Sequence, residues 1–348
     1  MKQCFYILFC LAFACNVGQN SSSSKDDAII IEKSDSIRYA QGFEVTEYEG
    51  YTKIEVRDPW HEGKLLQRYI LIPRSRTLPA SLPKGTIIRT PIRRAVVYSA
   101  VHARAIVELG SADDIIGVCE SRYILSEEIR RRVAQGSITD CGESASPNVE
   151  KMIAMETEVI FASAFNNSGY GAVEKTDIPI MELADYMETD PLGRAEWIKF
   201  IGLLTGRASL ADSLFRRTEA NYLRIKSMAQ DARKRPTLLP GMNYGSTWYV
   251  PAGDSYMAHL YADAAADYLF SYLKGTGNAP LSFETVLERA IHADVWLIMY
   301  YSPKAMTYYT LGADFSSYRM FDAFRQRHIH ACNTNFSLYY EEAPLHPD

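Results

Sequence analysis

Cysteine is sparse, with six in 348 residues and no C-x-x-C spacing, so a paired-cysteine redox or metal centre is not encoded. A basic excess is also missing: 37 Lys and Arg against 42 Asp and Glu leave a formal charge of −5, which offers no bulk attraction to nucleic acid. Short basic runs such as Arg130-Arg131-Arg132 and Lys234-Arg235 read as solvated helix ends. The apolar run near the N-terminus is too short to cross a membrane as a helix. No G-x-S-x-G, H-E-x-x-H, Walker loop or G-x-G-x-x-G is present. The chain therefore reads as a non-enzyme, the enzymatic alternative being an exported hydrolase with His102 or Asp254 as its base.

What is present starts with an export signal. A charge at Lys2, an apolar run over 4–14 and small Ala14 before Cys15 make 1–15 a lipoprotein signal peptide, in which the Cys15 sulfur takes a diacylglycerol. A plain secretory signal and modification at Cys10 are the alternatives. Residues 16–28, with Ser21-Ser22-Ser23-Ser24, have nothing to bury and read as a flexible tether. The picture is a soluble body in the periplasm or cell envelope, held to a membrane by its lipid anchor only. Cys119, Cys141 and Cys332 remain after processing, an odd count that leaves a Cys119–Cys141 disulfide open.

Over 29–73 apolar and polar residues alternate, as in Tyr51-Thr52-Lys53-Ile54-Glu55-Val56, so 29–90 is expected to form an N-terminal antiparallel β extension. The pattern then changes. Short apolar strands at 95–98, 115–118, 159–162 and 178–181 alternate with helices at 103–109, 126–134 and 148–155. That alternation predicts an α/β lobe over 91–189 with a parallel sheet covered on both faces. From 191 to 232 helical spacing predicts one long helix, or two in line, as a connector over 190–235. A second β/α series fills 236–348, with strands at 237–239, 295–299 and 329–332 and helices at 256–269, 282–290 and 318–325.

Several segments carry a family likeness. Tyr98-Ser99-Ala100-Val101-His102-Ala103 precedes Glu108-Leu109-Gly110 and the strand Ile115-Ile116-Gly117-Val118. Pro147-Asn148-Val149-Glu150-Lys151-Met152-Ile153 runs into Glu158-Val159-Ile160-Phe161, and Ser282-Phe283-Glu284-Thr285-Val286-Leu287 into Asp294-Val295-Trp296, both similar to N-x-E-x-I-x-x-L-x-P-D-L-V-I. Trp248 to Tyr256 with 260–265 is similar to G-x-x-S-x-x-x-x-L-x-x-x-G. In this order, from about Ile92 onward, the chain resembles the class III periplasmic binding proteins that carry metal chelates. The resemblance implies two Rossmann-like lobes with parallel sheets, joined by a long rigid helix. It implies a metal chelate as ligand (ferric siderophore, haem or corrinoid) and permease subunits of an ABC importer as partner, to which the charge and residue patterns add the expectation of no nucleic acid, no cofactor and no metal site of the protein's own. Glu150 and Glu284, one at the tip of each lobe, are then the expected permease contacts. Two departures stand out: Ala265 replaces a common Gly, and Leu345-His346-Pro347-Asp348 closes the sequence where relatives continue in a final helix.

In a doubly wound sheet the ligand lies beyond the carboxyl ends of the strands. The loops there hold Tyr98, Ser99 and His102; Arg122 and Tyr123; Phe165, Asn166 and Tyr170; Tyr244, Trp248 and Tyr249; and Tyr300 and Tyr301. These are the candidate binding residues, because rings give contact area at low entropic cost to a large, flat ligand. With 23 tyrosines in the chain, ordinary packing is the competing explanation. His102, Tyr98 and Tyr300 are of types that ligate iron or cobalt axially, and Arg122 suits a ligand carboxylate. Glu150 and Glu284 also fit as first-turn acids favoured by the helix dipole alone. His328, His330 and Cys332 share one strand face but have no second cluster to complete a metal site. The rival function is an accessory surface lipoprotein binding a partner protein of an outer-membrane uptake complex.

Overall fold

The computed structural model describes residues 30–33, 37–166 and 169–348. The expected signal peptide, Cys15 and the tether 16–28 lie outside the described residues.

Five strands open the fold: β1 Ile30–Lys33, β2 Phe43–Tyr48, β3 Tyr51–Arg57, β4 Leu65–Pro73 and β5 Thr86–Thr90, side by side in that order. They pair antiparallel as far as β4, as the alternation requires, whereas β5 returns parallel to β4.

The first lobe contains β6 Ala95–Val97, α1 Ala100–Glu108, β7 Ile115–Val118, α2 Glu127–Ala134 and β8 Thr139–Asp140. A small hairpin of β9 Gly142–Glu143 and β10 Ser146–Pro147 leads to α3 Val149–Ala154, β11 Val159–Ser163 and β12 Ile180–Leu183. The strands form one parallel sheet ordered β12-β11-β6-β7-β8. Alternation along β6 sends Ala95 and Val97 toward α1 and Val96 toward Met152 of α3, so the helices lie on opposite faces.

Next come α4 Pro191–Thr205 and α5 Ala208–Gln230. Lys199 of α4 lies 3.5 Å from Asp212 and 4.5 Å from the Phe215 ring centre, both on α5. The expectation of one helix, or of two in line, is corrected: the two fold back on each other and α5 alone crosses to the second lobe. Gly206 makes the turn at φ 69, and a Cβ on Gly202 would lie only 2.5 Å from that of Ala211, so glycine permits the close approach. Leu192, Trp197, Ile198, Phe200, Ile201 and Leu204 are all buried, so apolar side chains of this helix must be covered on nearly every side. The N-terminal sheet supplies the cover, with Phe43 4.7 Å from Trp197 and 5.4 Å from Phe200 between ring centres. The Tyr69 hydroxyl also accepts the Glu182 backbone N–H at 2.7 Å, on edge strand β12.

The second lobe runs through β13 Thr237–Pro240, β14 Asn243–Tyr244, β15 Thr247–Pro251, α6 Tyr256–Asp263, β16 Asp267–Tyr268 and β17 Asn278–Leu281. It continues with α7 Phe283–Ala290, β18 Val295–Tyr300, α8 Tyr308–Asp314, α9 Asp322–Arg325 and β19 Ile329–Asn333. A parallel sheet ordered β16-β13-β18-β19 carries on one side the antiparallel trio β14-β15-β17, where Trp248 stacks 5.7 Å from Trp296. The helix expected over 256–269 ends at Asp263, because Ala265 turns to φ 55 and the Ala266 N–H returns to the Tyr261 carbonyl at 2.9 Å. That stop frees Asp267–Tyr268 to join the sheet. The helix expected at 318–325 is likewise reduced to a 3₁₀ turn, Ser316–Met320, and α9.

After β19 the chain leaves the second lobe. Its last helix, α10 Tyr339–Glu342, packs on α1, and Leu345 joins the first lobe's core. The expectation that 236–348 belongs to the second lobe throughout is corrected, and the lobes are joined by two crossings.

Ala265 holds an L-residue in the left-handed region, which glycine tolerates without that cost. Ala265→Gly is expected to stabilise the protein by up to about 1 kcal/mol in urea unfolding; a lowered midpoint would contradict the strain.

The interlobe gap as the candidate functional site

The carboxyl ends of β6, β7, β11 and β12 in one lobe, and of β13, β18 and β19 in the other, carry the loops where a ligand is expected. Three of the expected residues turn away from that position. Tyr98 continues the alternation of β6 into the core, its hydroxyl 4.0 Å from the Met152 sulfur. His102, 2% exposed, has its Nε2 2.9 Å from Asp185 Oδ1. Burial pushes the Asp185 carboxyl up, but the His102 imidazole and Arg194 outweigh it and hold the group below its ordinary value. Trp248 is wholly buried, and its indole N–H donates to the Pro240 carbonyl at 2.9 Å. These are corrected to packing residues, so neither Tyr98 nor His102 is free as an axial ligand. Tyr170 and Tyr300 are half-buried with engaged hydroxyls: Tyr170 donates to the Ser163 carbonyl at 2.9 Å and Tyr300 accepts the Met306 N–H at 2.8 Å.

The other expected residues sit at the surface, Tyr244 on β14, Tyr249 on β15 and the rest on connecting segments. Tyr123, Phe165, Asn166, Tyr244, Tyr249 and Tyr301 are exposed, and Ser99 is half-buried ahead of α1. Arg122 is exposed but already paired, 3.2 Å from Glu143 and 4.8 Å from the centre of the Tyr123 ring. Its loop is set by Glu120, which takes φ 54 and accepts the N–H and hydroxyl of Ser144, each at 3.1 Å. The sequence reading passed over the loop after β19, which presents Asn335 and the exposed Phe336; the carboxyl-end rule applied to that strand would have found them.

A cavity of about 730 Å³ opens between Leu125, Ser126 and Arg130 of the first lobe and Asn335, Phe336 and Leu338 from the other side. One wall is tied to α10: the Glu341 carboxylate accepts the backbone N–H groups of Leu125 and Ser126. Burial pushes the Glu341 carboxyl up, and its second oxygen has no hydrogen-bond partner among the described residues. Close by, His346 Nε2 lies 2.8 Å from Glu108, and Arg104 meets both Glu108 at 2.7 Å and Glu342 at 3.0 Å.

The tip acids occupy equivalent positions. Glu150 and Glu284 are each the second residue of a helix, α3 and α7, behind caps in which Asn148 accepts the Lys151 N–H at 2.9 Å and Ser282 the Thr285 N–H at 3.1 Å. Both carboxylates are exposed, without a side-chain partner among the described residues. Cys119 and Cys141 are free, buried thiols, and burial pushes Cys141 up to about 11.

Residues 95–332, spanning both parallel sheets, match the sequence profile of the periplasmic binding protein family. The chain belongs to that family. An uncharacterized lipoprotein of Methanocaldococcus jannaschii is 30% identical over 223 residues, which is 61% of this chain and 53% of that relative. This periplasmic binding protein thus spans about half the length of that relative. Among solved structures, a possible iron-binding (periplasmic solute-binding) protein from Staphylococcus epidermidis superimposes with a TM-score of 0.58 at 16% identity, covering 74% of this chain and 97% of that one. The periplasmic heme-binding protein RhuT from Roseiflexus sp. RS-1, in apo form, gives 0.56 at 17%, covering 73% and 95%. At those identities the shared property is the fold. The N-terminal sheet and α10 lie outside the matched range.

Glu108 holds His346 above its ordinary value, and although burial pushes Glu108 up, His346 and Arg104 outweigh it and bring it below its own. The contact therefore stabilises the fold fully below the unfolded His range and is lost as pH rises through the raised value. The stability difference between the native chain and His346→Ala is expected to be larger at about pH 6 than at about pH 9; an equal difference at both would contradict the pairing.

Proposed function

We propose that this periplasmic binding protein captures a metal chelate, either an iron chelate (ferric siderophore or haem) or a corrinoid, between its lobes and delivers it to the permease of an ABC importer while anchored through lipid at Cys15. The observation that carries the reading is the set of exposed rings at strand ends of both lobes: Tyr123 and Phe165 on one, and Tyr244 at the end of β14 (83% exposed), Tyr301 (67%) and Phe336 (70%) on the other. Rings left in water at strand ends are surface that a flat, partly apolar ligand covers with gain, and a few fixed polar groups then orient it. Arg122, Asn166 and Asn335 stand beside Tyr123, Phe165 and Phe336 in sequence, and Ser99 is a further polar group of the first lobe's strand ends. The iron-binding and heme-binding character of the two solved structures supports a chelate of this class. With the metal already held by the chelate, the protein needs no ligand of its own.

Glu150 and Glu284 are the docking acids in this reading. Their matched placement on the two lobes lets a permease with two basic contacts read the orientation of the loaded protein, a gain mainly in specificity and association rate.

Titration of the chain with haemin, cyanocobalamin and ferric siderophores, followed by tyrosine and tryptophan fluorescence, is expected to show saturable quenching by one of them. Phe165→Ala with Tyr301→Ala should weaken that binding roughly tenfold. No quenching by any chelate would overturn the reading in favour of a partner protein as ligand. Glu150→Lys with Glu284→Lys is expected to leave chelate affinity intact and abolish stimulation of the importer's ATPase; full stimulation by the double variant would remove the docking role.

A further inference from the structure

Ala211, Phe215, Thr218 and Tyr222 are buried and define the inward side of α5. Helical spacing puts Leu210, Arg216, Arg217, Leu223, Arg224 and Met228 around the outward side, and all six are exposed. The two acids of this helix turn elsewhere: Asp212 toward Lys199, 3.5 Å away, and Glu219 toward Arg38 and the Tyr39 hydroxyl, the latter at 2.6 Å. Arg216 and Arg217 have no partner among the described residues. Arg224 bonds only the neutral Asn221 and Met228, while Asp348 is held on one rim of the face by Asn221 at 2.5 Å. In a chain of formal charge −5, one helix face thus gathers three guanidinium groups around exposed apolar side chains, the pattern of a helix that lies on an anionic membrane surface.

Two further observations say which membrane and to what effect. The described chain meets this helix between β1 and β2, where Arg38 and Tyr39 are bonded to Glu219 of α5 itself. Cys15 lies in the same N-terminal stretch that leads to Arg38 and Tyr39, so a chain anchored there keeps α5 near its own bilayer. Meanwhile α3, which carries Glu150, packs against the opposite face of the first lobe's sheet from α4 and α5.

We propose that the outward face of α5 rests on the anionic headgroups of the bilayer to which the chain is anchored, parking the protein with the permease-facing acid Glu150 turned away from the membrane. The inference builds on the lipid-anchor reading. Docking then requires the molecule to roll off this face, which high ionic strength or loss of the arginines promotes.

The test uses the lipidated full chain in a Cys332→Ser background, labelled with a fluorophore at Met228→Cys or at Glu150→Cys, in phosphatidylcholine vesicles with or without phosphatidylglycerol. Quenching by a nitroxide carried on the lipid headgroup is read. Expected is several-fold stronger quenching at position 228 when phosphatidylglycerol is present, reversed by high salt and by Arg216→Glu, Arg217→Glu and Arg224→Glu together, with position 150 unquenched. Equal quenching at 228 in both lipids, or stronger quenching at 150 than at 228, overturns the proposal. The mass of the extracted chain reports its acyl groups separately. A missing anchor is thereby told apart from a wrongly assigned face, because an unacylated chain must still bind the anionic vesicles through position 228.

Discussion

Glu196 has no solvent exposure, yet it carries the junction on which the rest of the molecule depends. Its carboxylate accepts the backbone N–H groups of Arg38 at 3.0 Å, Tyr39 at 2.7 Å and Ala40 at 3.0 Å, with Lys199 2.9 Å away. Glu188 continues the grip on Gln41 at 3.0 Å and Gly42 at 2.7 Å and takes the Trp197 indole N–H at 3.0 Å. A charge is tolerated inside a protein only where it is paired and fully hydrogen-bonded, and leaving such a group without partners costs about 3–5 kcal/mol. This anchorage seals the N-terminal sheet over α4 and lets α4 be buried on nearly every side. The family core over 95–332 and the sheet added before it are in this way one folded unit.

The second constraint is the return of the chain. α5 carries the backbone from the first lobe to the second, and the segment after β19 brings it back through Glu341, Glu342, Leu345 and His346. Direct contacts add to these crossings, with Arg194 5.3 Å from the centre of the Tyr256 ring, His259 2.8 Å from the Thr189 carbonyl and Tyr222 2.7 Å from Asp263. Two covalent crossings joined by such contacts favour a small relative movement over a wide hinge, since the packing on both sides must survive any motion. Ligand capture between such lobes relies on loops shaped beforehand, and Glu120, fixed at φ 54 by Ser144, is one example.

Legibility in the sequence followed the length scale of the cause. Strands such as Ala95–Val97 and Ile115–Val118, and the capped helices at Asn148 and Ser282, were readable because alternation and capping act over a few residues. The fold-back of α5 on α4 was not readable, because it depends on the space above Gly202, which only a three-dimensional neighbour such as Ala211 reveals. Ala265 was marked as a departure, and its left-handed backbone explains why a glycine commonly stands there. Within the candidate site the loops were found by rule, whereas the direction of each side chain was not. Tyr98, His102 and Trp248 are as aromatic and polar in sequence as Tyr301 and Tyr244, and packing alone separates them. The return of α10 to the first lobe rests on Glu341 and His346 meeting partners more than two hundred residues away, as the His346–Glu108 separation of 238 shows, and no local pattern encodes that.

The central claim is that both lobes grip one ligand across the gap. Hydrogen–deuterium exchange of the intact chain, with and without whichever chelate it binds, tests this most directly. The account predicts slowed exchange in the loops after β7 and β11 of the first lobe together with those after β13, β18 and β19 of the second. Protection confined to one lobe, or appearing only on the N-terminal sheet or the outer face of α5, would contradict it.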